Sequence, residues 1–392
     1  MKNTKNIATK ILSIFLVVVI GFMPGSRSRV YAEENNPPVV PFEFIDAHAD
    51  TITRAMDRNQ SLFRNNLHLD FERLSQFEAP VQVFAIWVAD RFLWDAFNYA
   101  NSAIDFFERE LAAHSDIIEL ALSIEDLERN ARNGKISAIL SLEGGEPLQG
   151  NLDNIDHFFN RGVRMIAPTW DRETDLGYGI GTGINRGLKP FGIESIRRMN
   201  ELGIIIDVTH LNEAGFWDVH YLSTQPYIAS HSNAFSIVPH RQNLNDYQIR
   251  AMVERGGLIA LCFFPPFLSG QRNADKGHIM RHIDHFISLG AINNIGLGVD
   301  LDGVPNLPYG VRDVLSLRDF AQALTAEYGH ETSRAIMAGN FYNFLRTVEW
   351  GSPRPNYIYD EFGPEESVIP PYEMRRRISV LMIRLREQKL PR

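Results

Sequence analysis

Eight short apolar runs punctuate the chain, at residues 42–50, 81–88, 136–145, 163–170, 204–210, 227–232, 258–264 and 295–300. Most are apolar at successive positions, the pattern of strands buried on both faces of a parallel sheet. Between them, segments such as 193–202, 245–255 and 278–289 return apolar residues every three or four positions, which predicts amphipathic helices. Strand then helix, repeated eight times, predicts an α/β fold of the (β/α)8 TIM barrel type, with residues 42–350 forming the barrel. A doubly wound open sheet is the competing architecture. No Gly-rich dinucleotide loop follows the early runs, which argues against it.

The two ends of the chain read differently. Lys2, Lys5 and Lys10 precede the apolar stretch 11–23, and Val30-Tyr31-Ala32 offers small residues at a cleavage position. Thirteen apolar residues fall short of a membrane span, so residues 1–32 read as a signal peptide cut after Ala32, and the protein as secreted or extracytoplasmic. Residues 33–41 form an irregular lead-in. From 351 to 392 prolines cluster and then give way to a basic helical stretch, a tail expected to pack on the barrel or on a partner subunit, its arginines a solvated face.

Composition narrows the function. The chain of 392 residues is 44% hydrophobic and 11% aromatic, ample for a large core. Its formal charge is −9, and removal of the five basic residues in 1–32 takes it to −14, which excludes nucleic acid as a natural partner. The single cysteine, Cys262, permits no internal disulfide and lies inside an apolar strand run instead of at its mouth.

Active sites of such barrels sit on the loops that follow the strands. There the runs end in His48 and Asp50, in Glu143, in His210, in His231 and in Asp300. Imidazoles and carboxylates in this mixture suit two zinc ions, with Glu143 as the natural bridge because each of its oxygens can face one metal. A water between two such ions loses a proton near neutral pH and becomes a nucleophilic hydroxide. Asp300, surplus to the ligand count, is placed to carry a proton to the leaving group. His278, His282 and His285 also share a helix face, but on an outer helix, where a solvated face is expected. No G-x-S-x-G elbow is present for serine chemistry.

These residues, in this order, resemble the membrane (renal) dipeptidase family of zinc peptidases. The resemblance rests on IDAHADT, HLDFERL, SLEGGEPL, GVRMIAPTW, RRMNELGIIIDVTHLNE, ASHSNA, GLGVDLDG and GNFYNFLR, spread over roughly 42–350. It implies a dinuclear zinc barrel cleaving dipeptides, a D-residue being tolerated on the C-terminal side, and a homodimer. His48 and Asp50 would then hold one zinc, His210 and His231 the other, with Glu143 between them. Asp300 would be the catalytic aspartate and Asp302 a structural one.

Two positions depart from the family pattern. Trp170 stands where a histidine helps hold the scissile carbonyl, and Gln242 stands where an arginine before an asparagine grips the free carboxylate. Replacing that charge-assisted bond by a neutral one costs on the order of 1.5–3 kcal/mol, about ten- to a hundredfold in affinity. Arg241 is adjacent and becomes the substitute if the loop shifts by one residue. Two alternatives therefore stand beside the dipeptidase: hydrolysis of another small amide or lactone lacking a free carboxylate, and a non-enzymatic protein that retains its metal.

Overall fold

The computed structural model describes residues 40–351 apart from Glu349. The expected signal peptide, most of the lead-in and the tail beyond Gly351 lie outside the described residues.

Among the described residues nine strands form: β1 (Ile45–Ala49), β2 (Val81–Trp87), β3 (Ile118–Leu120), β4 (Ile136–Glu143), β5 (Val163–Ala167), β6 (Ile205–Ile206), β7 (Ile228–Ala229), β8 (Leu258–Leu261) and β9 (Ile295–Leu297). Eight of them run β6-β5-β4-β2-β1-β9-β8-β7, all parallel. The ends of this row meet at a parallel bridge between Asp207 and Ile228, where the Val208 N–H donates to the Ile228 carbonyl at 2.8 Å. The expected barrel therefore forms. Its strands β6 and β7 keep only two ladder residues each, because the chain leaves the sheet there to carry Asp207, His210 and His231 toward the mouth.

β3 has no counterpart among the eight expected runs. It pairs with Ile136–Ala138 at the start of β4, while β5 takes the same edge only from Leu140 onward. Three residues, IEL, are too few to show a period.

The predicted helices appear as Pro190–Leu202, Asp246–Glu254 and Lys276–Ser288. Their starts follow from local chemistry. Pro190 supplies a preset φ at the first turn, and Asn245 with Gln248, and Asp275 with His278, close reciprocal capping boxes. The third helix corrects one expectation: His282 does not belong to a solvated face. It is fully buried, its Nδ1 accepting from the Ala234 N–H at 3.1 Å and its Nε2–H donating to the Leu268 carbonyl at 3.1 Å. A neutral imidazole satisfied at both nitrogens is a core residue, and only His278 and His285 stay toward solvent.

Residues from seven strands, among them Ile45, Val81, Ile139, Met165, Ile205, Ile228 and Leu258, join one cluster with Phe341, Phe344 and Leu345. They alternate along the strands with Phe84, Leu140, Ile166, Ile206 and Ile259, which pack into the outer cluster beneath the helices, so this cluster fills the barrel interior. The helix Asn340–Val348 thus closes the end away from the strand termini, and the polar residues collect at the other.

Candidate metal centre and active site

The register of β1 slips between Asp46 and Ala49. A bulge of this kind re-aims side chains: Ile45 and Ala47 stay in the inner cluster while His48, one residue on, reaches the mouth. Asp50 follows as β1 ends, Glu143 closes β4, and His210, His231 and Asp300 stand beyond β6, β7 and β9. All six are buried. His210 and Asp300 have φ near +66°, and Asp302 near +67°, a conformation that is costly for side chains bearing a Cβ and typical of backbone held for function.

Their side chains converge. Glu143 Oε1 lies 3.0 Å from His210 Nε2 and 3.6 Å from His231 Nε2, while Oε2 lies 3.6 Å from His48 Nε2. His48 Nε2 is in turn 3.4 Å from Asp50 Oδ2. His210 and His231 bring their Nε2 atoms to 3.0 Å of one another. Donor atoms of His48, Glu143 and His231 fall within 4.8 Å of one another, and so do those of His48, Asp50 and Asp300. Asp300, expected as surplus to the ligands, is thus close enough to count among the donors.

A cation fits this arrangement on physical grounds. Both ring nitrogens of His48 are buried without a hydrogen-bond partner. Two imidazole nitrogens aimed at each other, with carboxylate oxygens alongside, are lone pairs sharing one space, and a positive ion resolves that conflict better than a proton.

The electrostatics agree. Burial would raise Glu143, yet the imidazoles of His48 and His210 hold its carboxyl well below the usual range. Burial opposes charge on His48, but Glu143 and Asp50 keep it well above an ordinary histidine. His210, opposed by burial but facing Asp171 and Glu143, rises to about 9. His231 is pushed well below its ordinary value by burial and by the two neighbouring imidazoles. Burial, reinforced by Asp50 and Glu143, lifts Asp300 to about 7.

Behind the histidines stand groups that sequence reasoning passed over. Asp171 Oδ1 accepts from His210 Nδ1 at 2.9 Å, leaving Nε2 to face Glu143. His231 Nδ1–H donates to Ser230 Oγ at 2.9 Å, and Ser230 donates onward to Asp207 Oδ2 at 2.6 Å. Such partners fix the tautomer that presents Nε2 as a ligand atom. Their signal was position: Asp171 follows Trp170, Ser230 precedes His231, and Asp207 opens D-V-T-H. Asp302 anchors structure, accepting from Thr51 Oγ1 at 2.5 Å and from the His68 N–H at 2.7 Å. Cys262 needs correction, since β8 ends at Leu261 and Cys262 Sγ lies 3.8 Å from Asp300 Oδ2, at the strand's mouth. Burial and that carboxylate push its thiol well above the ordinary range, so it stays protonated and is no nucleophile.

The cluster opens into a cavity of about 440 Å³. Trp170 lines it beside Trp87, ring centroids 5.1 Å apart, with the Arg172 guanidinium 4.8 Å over Trp170. Arg241 and Gln242 line it as well. Arg241 is largely exposed and donates to Asp171 Oδ2 at 3.2 Å, whereas the Gln242 amide is buried with neither end hydrogen-bonded.

Residues 36–355 match the family described as membrane dipeptidase (Peptidase family M19). Dipeptidase tcpJ of Claviceps purpurea is 29% identical over 299 residues, 72% of this chain and 69% of that one. A solved structure described as the dipeptidase AC, a metallopeptidase, superposes with a TM-score of 0.74 at 28% identity, covering 80% of this chain and 100% of that one. A metallopeptidase from Rhodobacter sphaeroides, liganded with a phosphinate mimic of the dipeptide L-Ala-D-Ala, superposes at 0.72 with 27% identity, covering 78% and 99%. With the matching family model extending over most of its length, the chain belongs to the membrane dipeptidase family.

Proposed function

We propose that this protein is an exported dinuclear zinc dipeptidase, and that the position of Glu143 carries the reading. One of its oxygens faces His210 and His231 and the other faces His48, which itself touches Asp50. Two zinc ions held by these groups would acidify a water and polarise the scissile carbonyl. His48 and Asp50 would hold one ion, His210 and His231 the other, and Glu143 both.

The rest of the chemistry falls to this chain's own side chains. The Asp300 carboxylate takes the proton of the attacking water and returns it to the leaving nitrogen. Trp170 and Trp87 wall the cavity and exclude bulk water from the reacting atoms. The L-Ala-D-Ala mimic held by the Rhodobacter sphaeroides relative supports a D-residue on the C-terminal side. Export is supported by the lysines and the apolar stretch of residues 1–32.

One observation favours a second reading, hydrolysis of a small amide without a free carboxylate. Arg241 is already committed to Asp171, and Gln242 offers no charge.

The test is hydrolysis of L-Ala-D-Ala, L-Ala-L-Ala and their amides by the zinc-loaded protein, before and after a chelator. Chelator-sensitive release of amino acids is expected, with activity abolished in Glu143→Gln. Undiminished turnover by that variant refutes the mechanism, and a clear preference for the amides selects the second reading.

A further inference from the structure

A second cavity, of about 350 Å³, adjoins the first, and Ile180, His210, Arg241 and Gln242 line both. Gln242 is only 5% exposed, and its Oε1 and Nε2 are sealed in the wall between the two spaces without a partner. Two more residues lining the second cavity are in the same condition: Ser232 Oγ and Asn243 Oδ1 are buried and unpaired. Four unsatisfied polar atoms from three neighbouring residues form an unusual concentration, because buried polar groups nearly always find partners. Each becomes satisfied if these side chains turn toward a ligand that brings both donors and acceptors to this wall.

The rest of the second cavity describes that ligand. Phe235 and Tyr247, 41% and 49% exposed, give it apolar faces. Its charged side chains apart from His210 are one acid and one base, Glu213 and Arg241, with Arg241 held by Asp171. The first cavity, by contrast, carries Asp50, Asp57 and Asp300 on the side of β1 and β9, with Arg54 among them. A peptide whose first carbonyl lies at Glu143 and Asp300, with its amino end pointing away from this wall, turns its C-terminal end toward Gln242.

We propose that the substrate extends past a dipeptide, with the peptide group after its second residue paired to Gln242 and its third residue seated in the second cavity. The proposal rests on the metal-dependent hydrolysis read above and replaces its dipeptide with a longer preferred substrate. A peptide group offers one N–H and one C=O, the complement of Oε1 and Nε2, whereas a terminal carboxylate offers acceptors alone and leaves Oε1 unpaired. Phe235 and Tyr247 then pack against the third side chain. Cleavage falls at the first peptide bond: water adds its oxygen to the acyl carbon of residue one, the C–N bond breaks, and the nitrogen of residue two leaves with a proton. The products are one amino acid and one dipeptide.

The experiment compares Ala-Ala, Ala-Ala amide and Ala-Ala-Phe on the full-length protein by two readouts. The first is kcat/KM with zinc. The second is calorimetric binding to protein stripped by chelator, which is independent of turnover. Expected are at least tenfold higher kcat/KM and tighter binding for Ala-Ala-Phe than for Ala-Ala, with the amide between them. Gln242→Arg should reverse the order, and Tyr247→Ser should weaken Ala-Ala-Phe several-fold. Ala-Ala turned over and bound as well as the other two, or better, overturns the inference and leaves the peptidase standing. Preferential binding of Ala-Ala-Phe without turnover of any peptide upholds the subsite and overturns the peptidase. Neither turnover nor binding overturns both.

Discussion

Asp171→Asn separates the two halves of the proposed metal centre. Asp171 Oδ1 accepts from His210 Nδ1 at 2.9 Å, so its negative charge strengthens Nε2 as a donor on one side of Glu143. Asparagine keeps the shape, and its oxygen can still accept that bond, but the charge is gone. Loss of such a supporting group typically weakens metal binding ten- to a hundredfold, about 1.4–2.7 kcal/mol. The low end applies here. Asp171 is 27% exposed on its side chain, and Arg241 already offsets part of its charge at 3.2 Å.

The effect should fall on one ion of two. His48 and Asp50 have no contact with Asp171, so a titration against a chromophoric chelator should show one zinc about tenfold weaker and the other unchanged. At limiting zinc the activity falls, and excess zinc restores it. Two ions bound as tightly as in the wild type would refute the assignment of His210 as a ligand oriented by Asp171. Equal weakening of both ions would refute the division of ligands between two sites.

Two further substitutions test the surroundings. A Cβ at Gly303 would approach Asp300 Oδ1 to 2.0 Å and Asp50 Oδ2 to 2.3 Å. Gly303→Ala should therefore displace both carboxylates and lower kcat on the order of a hundredfold at saturating zinc, and unchanged kcat would show that neither position matters. Burial, with the nearby Arg281, lowers His282 from 6.5 to about 4, against the favourable bond to Leu268. Because its folded value lies below its unfolded one, the unfolded chain binds the proton first as pH drops. Stability present above 6.5 is lost between 6.5 and about 4, by ~3 kcal/mol in all. Urea midpoints of wild type and His282→Gln should converge over that window, and parallel curves would show that His282 is not the group responsible.

The barrel and the convergence of six polar side chains at its mouth were legible for the same reason. A polar residue ending a run apolar on both faces must lie at a strand terminus, and the termini of one barrel share one mouth. Periodicity also located the helices, because Pro190, Asn245 and Asp275 mark their starts in the chain itself. What failed was everything that depends on a partner distant in sequence. His282 reads as outer-face until Ala234 and Leu268 fold over it, and Cys262 reads as core until β8 stops one residue short of it. The support of His210 by Asp171 spans 39 positions, and its place after Trp170 at the end of a strand run does not say which histidine it meets.

Gln242 shows why this distinction bears on function. In the chain it is an uncharged residue between an arginine and an asparagine, and the only inference available there is a lost charge. In the fold it is a sealed amide with two unpaired ends in a wall shared by two cavities. Loss of a charge implies weaker binding of a carboxylate, whereas an unpaired amide implies a group that the carboxylate cannot satisfy. The first is a defect in a dipeptidase site, and the second is a requirement for a different C-terminal end. Only the placement of the two cavities separates these readings, which is why the proposed length of the substrate rests on Gln242 while its proposed cleavage rests on Glu143.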